Sequence, residues 1–213
     1  MKLQWSIIWD YRVELLHGIW ITLQITVCGI IGSTIIGAIL GSAKTLPSFF
    51  LEKFTDLYVE VMRNLPVVVK LFFLHFVIGL DALPAGILAI IIHQSAYVAD
   101  VTAAGLRSVA VGQSEAALAH GHSYFGLFRY VLLPQALRHV IPPLTTQYVQ
   151  VVKNSAVVML ISVQELTFMM QKIGHETFRG FEAVTAATLI YLFLTLLIVG
   201  AMSALEHVLK TPK

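Results

Sequence analysis

The stretch LLHGIWITLQITVCGIIGSTIIGAILGSA, residues 15–43, contains no Asp, Glu, Lys or Arg. A helix crossing the hydrocarbon core of a bilayer needs about 20 predominantly apolar residues. This run is long enough to span with tilt, and it exceeds the roughly 7–15 residues of a signal-peptide core. The rest of the chain agrees. Of 213 residues, 57% are hydrophobic and only 12% are charged, against about 25% charged residues in a soluble domain. A formal net charge of +2, with Lys and Arg scattered, supplies no basic field for nucleic acid. The one cysteine, Cys28, excludes an internal disulfide framework. In its apolar setting it reads as a small buried thiol.

Further apolar segments follow the first. The expected fold is all-α: a polytopic membrane protein of one transmembrane domain, 1–213, with five spans. These cover about 18–42, 54–79, 83–106, 135–161 and 183–207. Continuous apolar runs, rather than alternation, argue against a β-barrel. Five spans place the termini on opposite sides. One side then carries Lys44, Lys53, Arg107, Arg129, Arg138, Lys210 and Lys213; the other carries Lys2, Arg12, Lys172 and Arg179. The positive-inside rule makes the first side cytoplasmic. The N-terminus is expected outside, and the C-terminus and the polar loop 107–134 inside.

That loop contains GQSEAALAHG, residues 112–121, and VLLP, residues 131–134. Glu115, Ala116, Ala117, Leu118 and Ala119 are helix formers. Ser114 is expected to cap the short helix, and Gly121 to end it in the left-handed conformation. Small side chains let another protein approach the backbone, so the helix suits docking. An amphipathic helix resting on headgroups is the other reading of the same residues.

Glu115-Ala116-Ala117, three residues, Gly121, nine residues and Val131-Leu132-Leu133-Pro134 resemble the signature loop of ATP-binding-cassette importer permeases. Val131 stands where that family prefers Ile. Ser95–Asp100, Gly105–Val109, Leu133–Arg138, Pro142-Pro143, Gln164–Thr167, and Arg63-Asn64-Leu65-Pro66 with Leu71–Phe73 resemble its polar amino acid branch. The resemblance implies a five-helix subunit of the bacterial inner membrane, paired with an identical or homologous permease subunit. It implies two cytoplasmic ATPase subunits, an extracytoplasmic amino acid binding protein and a polar amino acid as cargo. Glu115, Ala116, Ala117, Gly121, Leu133 and Pro134 carry over as the ATPase coupling residues. The chain has no G-x-x-x-x-G-K-[ST] phosphate loop. It is therefore expected to be a transport subunit rather than an enzyme and to bind no cofactor, with ATP and Mg held by the partner ATPase.

Ionisable and polar residues inside spans are costly and therefore functional candidates. His93, Tyr97 and Asp100 share one face of the third span, with Gln94 beside them. Thr146, Gln150 and Lys153 share a face of the fourth, with Gln147 and Asn154 adjacent. These two stripes are expected to face each other across an aqueous pathway, joined by Lys70 from the second span. At about 1.5 Å of rise per residue, His93 lies near mid-membrane, Lys153 nearer the outside and Asp100 nearer the inside. Arg63 matches Asp100 in depth, but also stands i+3 from Glu60. Lys70 could snorkel to the surface instead, His93 could be a buried core histidine, and Asn154 and Ser155 could bind helices together. Glu165 reads as an outer gate residue or as a helix cap. His120 and His122 do not share a helix face and lack an evident third ligand for a metal. Gly105, Gly112, Pro134, Pro142 and Pro143 read as bends, with Pro142-Pro143 the sharpest break.

Lys70 and Lys153, read as unpaired cations, favour a carboxylate. The cargo expected is glutamate, aspartate or glutamine, and a cationic amino acid such as arginine or histidine is the alternative. An ion-gradient-driven secondary transporter, with His93 and Asp100 as proton relay, is the rival class. A membrane enzyme ranks below both, because no nucleophile–base pair or metal cluster is evident.

Overall fold

The computed structural model describes residues 3–210; the orientation charges Lys2 and Lys213 lie outside them. Among the described residues every regular element is helical. A short α1 (Ser6–Asp10) leads into α2 (Arg12–Ala43) and α3 (Phe49–Asn64). Next comes α4 (Val67–Phe72), which continues as a π turn over Phe73–Val77. Then follow α5 (Ala82–Arg107), α6 (Val111–Ala119) and α7 (Tyr124–Gly126) with a π stretch, Leu127–Leu132. α8 (Leu133–Ser155) tightens to 3-10 geometry over Ala156–Ile161, before α9 (Leu166–Thr177) and α10 (Gly180–Lys210).

The helices α2, α5 and α10 are long and apolar enough to cross a membrane. The pair Tyr124–Ile161 and Leu166–Thr177, bent by 53°, supplies a fourth such span if taken as one. The stretch expected to span continuously over 54–79 is instead split between α3 and α4. Leu65 is extended (φ −83°, ψ 128°), as a residue before proline prefers, and Pro66 cannot donate the hydrogen bond that would carry the helix through. The break expected at Pro142-Pro143 is not there: both prolines lie inside α8. The carbonyls they leave free, four residues back, belong to Arg138 and His139, which are exposed. Free acceptors on that face can find partners outside the helix, which lets α8 continue.

The contact that organises the bundle lies between α2 and α5. Gly29, Ser33, Gly37 and Gly41 stand four residues apart and are all buried, forming one smooth stripe. A Cβ at Gly37 would lie 2.5 Å from the Val98 Cβ, and one at Gly41 would lie 2.5 Å from the Ala99 carbonyl oxygen. Without side chains the two backbones touch, as small-residue stripes permit in membranes. The opposite face of α2 exposes Ile31, Ile35 and Ile39. Cys28 is exposed rather than buried, because it faces away from the glycine stripe. Gly105, read as a bend, has a packing reason: a Cβ there would meet Val140 Cγ2 at 2.1 Å. It therefore seats α5 against α8.

Apolar clusters complete the interior. Ile25, Ile90, Val151 and Val158 join α2, α5, α8 and its 3-10 extension. Val98, Val140, Leu144, Tyr148 and Met202 join α5, α8 and α10 nearer α6. Glu165 is fully buried and caps α9, accepting from the Thr167 and Phe168 amides at 2.9 Å each. It also accepts from the Tyr191 hydroxyl at 2.6 Å. Of its two expected roles, the structure provides the cap.

Gly37→Leu should lower the melting temperature of the detergent-solubilised protein, because overpacking costs about 1–3 kcal/mol or more. Ile35→Leu, on the exposed face of the same helix, should stay within about 0.5 kcal/mol of wild type. Equal melting of the two variants in a thermal-shift assay would contradict the close α2–α5 contact.

Candidate functional site

The two polar stripes read from the third and fourth spans do face each other. His93, Gln94 and Tyr97 of α5 and Thr146, Gln147, Gln150 and Asn154 of α8 line one cavity of about 340 Å³. Gln94 is buried and donates to Gln147 Oε1 at 2.7 Å. Apart from the imidazole, this lining is made of amides, a threonine hydroxyl and a phenol, with no carboxylate, ammonium or guanidinium. Lys153 does not line it; it is exposed on the outer surface of α8. It continues an exposed stripe of His139, Pro143, Thr146 and Gln150, spaced as one helix face. A polar stripe of that length at membrane depth is incompatible with hydrocarbon.

Lys70 departs most from expectation. It neither snorkels nor stands unpaired: it is buried, and its Nζ donates to Met62 O at 2.6 Å and Leu65 O at 2.9 Å. Its third contact is His93 Nδ1, at 3.0 Å. Proline at position 66 leaves the Met62 carbonyl without its i+4 donor. Both carbonyls sit at the C-terminal end of α3, where the helix dipole also favours a cation. An ammonium group has three donors and no acceptor, so these three contacts use it completely. A charged Lys70 makes His93 Nδ1 the acceptor and leaves the imidazole proton on Nε2. The sequence signal was present: a lysine four residues after a proline that interrupts a span.

The charges lie on the α6 side of Tyr97. Asp100 is not a lone acid; it accepts from Lys44 at 3.3 Å and from Arg63 Nη1, and Lys44 also pairs with Asp56 at 2.8 Å. The hydrogen bond to Asp56, ahead of that to Asp100, outweighs burial and holds the Lys44 ammonium above the ordinary lysine value. Of the two partners weighed for Arg63, the structure selects Asp100 over Glu60. Arg63 also lies over the Tyr97 ring, 5.0 Å from its centroid. These groups line a second cavity of about 820 Å³, together with Lys53 and Glu60. Its three cations and three carboxylates balance. The Lys44–Asp56 contact has no local sequence signature, because it depends on how the end of α2 meets α3.

α6 spans Val111–Ala119, and its start is Ala110 rather than the expected Ser114. Ser114 is a mid-helix residue, because the helix begins before Gly112. Glu115, Ala116 and Ala119 are exposed and Ala117 is buried. Gly121 follows with φ +84°, the left-handed ending expected, and a Cβ there would meet nothing within 4 Å. Leu133 and Pro134 open α8 directly after the π stretch. Proline lacks the N–H and crowds the carbonyl four residues back, and the widened turn sits where that crowding falls. No cluster of His, Cys, Asp or Glu that could hold a metal occurs among the described residues.

A family model described as "Binding-protein-dependent transport system inner membrane component" matches residues 33–210. The chain is 34% identical to the glutamine transport system permease protein GlnP of Escherichia coli (strain K12), over 99% of each chain. It is 29% identical to the glutamate/aspartate import permease protein GltJ of the same strain, covering 92% of this chain and 87% of that one. Among solved structures, one described as an amino acid ABC transporter with histidines superposes with a TM-score of 0.86. That match has 29% identity over 97% of this chain and 99% of the other.

Lys70→Met should destabilise the protein by about 1–3 kcal/mol, since it leaves the Met62 and Leu65 carbonyls without the donor they share. Pro66→Ala restores an amide donor for Met62, so the same substitution should cost less in that background. Equal costs in a double-mutant cycle of thermal unfolding would remove the capping role.

Proposed function

The chain belongs to the family of binding-protein-dependent transport system inner membrane components, and we propose glutamine, or a close neutral analogue, as its cargo. The subunit itself is the membrane-spanning permease of an ATP-driven amino acid importer. The observation that carries the cargo reading is the neutral lining of the α5–α8 cavity. Three glutamines, an asparagine, a threonine, a tyrosine and an imidazole offer donors and acceptors to an amide without a fixed charge for a side-chain carboxylate. The balanced second cavity adds no net charge to the route. With Lys70 engaged by backbone carbonyls, the argument for an acidic cargo weakens toward the amide. With Asp100 held by Lys44 and Arg63, the argument for arginine or histidine loses its acid. The same pairing leaves Asp100 poorly placed as the proton relay of an ion-driven carrier. The permease names GlnP and GltJ support a cargo of the glutamine and glutamate kind.

In this reading the exposed polar stripe of α8 faces a second permease subunit across the translocation pathway, because water or protein must cover it. His93, Gln94, Tyr97, Gln150 and Asn154 contact cargo, with Asp100 below them and Lys153 nearer the outer mouth. α6 docks against a cytoplasmic ATPase through Glu115, Ala116, Ala117 and the open backbone at Gly121, while Leu133 and Pro134 pass its movement to α8. Two ATPases hold ATP and Mg, and an external binding protein delivers the amino acid. The N-terminus is then outside and the C-terminus cytoplasmic, in a single permease domain.

Reconstituted with its ATPase and binding protein, the permease should take up labelled glutamine on ATP without an ion gradient. Unlabelled glutamine should compete better than glutamate or arginine. Uptake driven by a proton gradient alone would refute the importer mechanism, and stronger competition by arginine would refute the cargo. Gly121→Arg strains a left-handed position and fills an open surface; it should cut ATP-driven uptake at least about tenfold, the loss of about 1.4 kcal/mol of coupling. Membrane insertion should be retained. Wild-type uptake by that variant would contradict the docking role of α6.

A further inference from the structure

Tyr97 is the residue common to both cavities. Toward α6 its ring carries the Arg63 guanidinium on one face, and Arg63 is tied to Asp100, three residues along α5. On the other side the His93 ring meets it edge-on, with centroids 5.3 Å apart. His93 is itself fixed by the buried ammonium of Lys70. The tyrosine ring thus stands between a neutral chamber and a charged vestibule. One side of it is anchored rigidly, and the other side is held by a pair of ions.

The two anchors differ in how easily they yield. Lys70 is buried and all its donors are used, so the His93 side is part of the frame. The Arg63 and Asp100 side chains are 47% and 30% exposed, and ion pairs with that much water contribute little net stability. Asp100 also keeps Lys44 nearby, while Lys44 holds its shorter contact to Asp56. Arg63 can therefore leave Asp100 without stranding an unpaired carboxylate.

We propose that Tyr97 is a gate between the cargo chamber and the α6-side vestibule, that the Arg63–Asp100 ion pair latches it, and that the zwitterionic head of the cargo opens it by exchanging with that pair. The α-carboxylate of an amino acid takes Arg63 while its α-ammonium takes Asp100. The exchange trades one ion pair for two and leaves no net charge behind. Arg63 then leaves the Tyr97 ring, and the ring is free to turn. The exchange step rests on the α5–α8 cavity being the cargo route; the latch itself does not, and the two are measured separately.

The latch is tested in the complete transporter, in inverted membrane vesicles with the α6 side outward and without ATP. Cys28→Ser removes the native thiol, and Asn154→Cys places a reporter in the chamber. A water-soluble maleimide added outside should label the reporter slowly. Arg63→Gln and Tyr97→Ala should each raise the rate about fivefold or more, the population shift expected from losing one partly exposed ion pair or the ring it holds. Tyr97→Phe keeps the ring and should label at the parent rate. Unchanged labelling in Arg63→Gln overturns the latch even if Tyr97→Ala fails to assemble. For the exchange, vesicles loaded with glutamine or with its analogue lacking the α-ammonium are compared. The analogue should escape more slowly than glutamine through the intact latch and at an equal rate through Arg63→Gln. Equal escape in the parent overturns the exchange. If labelling responds but glutamine is not transported at all, the latch stands and the cargo reading fails.

Discussion

Two backbones touch where α2 crosses α5, and the direction in which the polar face of α5 points follows from that contact. Gly37 and Gly41 have no side chain to hold the helices apart, so Val98 and the Ala99 carbonyl come up against the backbone of α2. This fixes the rotation of α5 about its own axis. With Val98 and Ala99 turned to α2, the face bearing His93, Gln94 and Tyr97 turns toward α8 and the broken helix α3–α4. A bilayer supplies no hydrophobic drive between helices, so shape alone must provide this alignment. The same device recurs at Gly105, which admits Val140, and at Gly86, which admits Val158. The central helix is therefore seated by glycines against α2 and α8.

Proline at position 66 is the second constraint, and its consequences run in one direction. It removes a donor from a helix within a membrane-embedded chain, where an unsatisfied carbonyl costs several kcal/mol. Lys70 meets that need, so the cost of burying its charge is offset by two carbonyls and an imidazole nitrogen. The helix break and the buried lysine thus account for each other. Together they hold in place a histidine that lines the polar cavity. A charged residue inside a membrane is usually read as a ligand for something that passes; here its partners are the chain's own backbone.

This explains which parts of the molecule were legible in the sequence. Helix periodicity and the lack of charge over 15–43 and 183–205 identify long helices, because both are local properties. The facing of the His93 and Gln150 stripes was also legible, since each helix has one polar side and hydrocarbon leaves few alternatives for it. The order and spacing of Glu115, Gly121 and Pro134 marked the loop helix, and Gly121 takes the left-handed conformation expected of it. The partners of Lys70 and Asp100 were not legible, because charge alone does not say whether a group serves cargo, a second side chain or a carbonyl. Local signals existed for part of it. The four-residue spacing of Gly29, Ser33, Gly37 and Gly41 points to a packing face, and it predicts that Cys28 faces away. The Lys44–Asp56–Asp100–Arg63 network joins three helices and depends on their final angles, which no local pattern encodes.

The placement of α6 suits the role proposed for it. The helix interrupts the chain between α5 and α8, the two helices that wall the neutral cavity. At the α6 end these helices are locked by the contact of Gly105 with Val140, so a displacement of α6 moves their bases together. At the far end α8 gives way to a tighter 3-10 stretch and turns by 53° into α9. The buried carboxylate of Glu165 holds the start of α9 there and ties it to Tyr191 of α10. A rigid base and a jointed far end convert a push at α6 into a change of angle rather than a simple translation. The cavity between α5 and α8 lies between those two points, at the level where such a change alters its width. In an importer, that geometry allows a partner acting on an exposed helix outside the membrane to govern a chamber within it, without touching the groups proposed to hold the cargo.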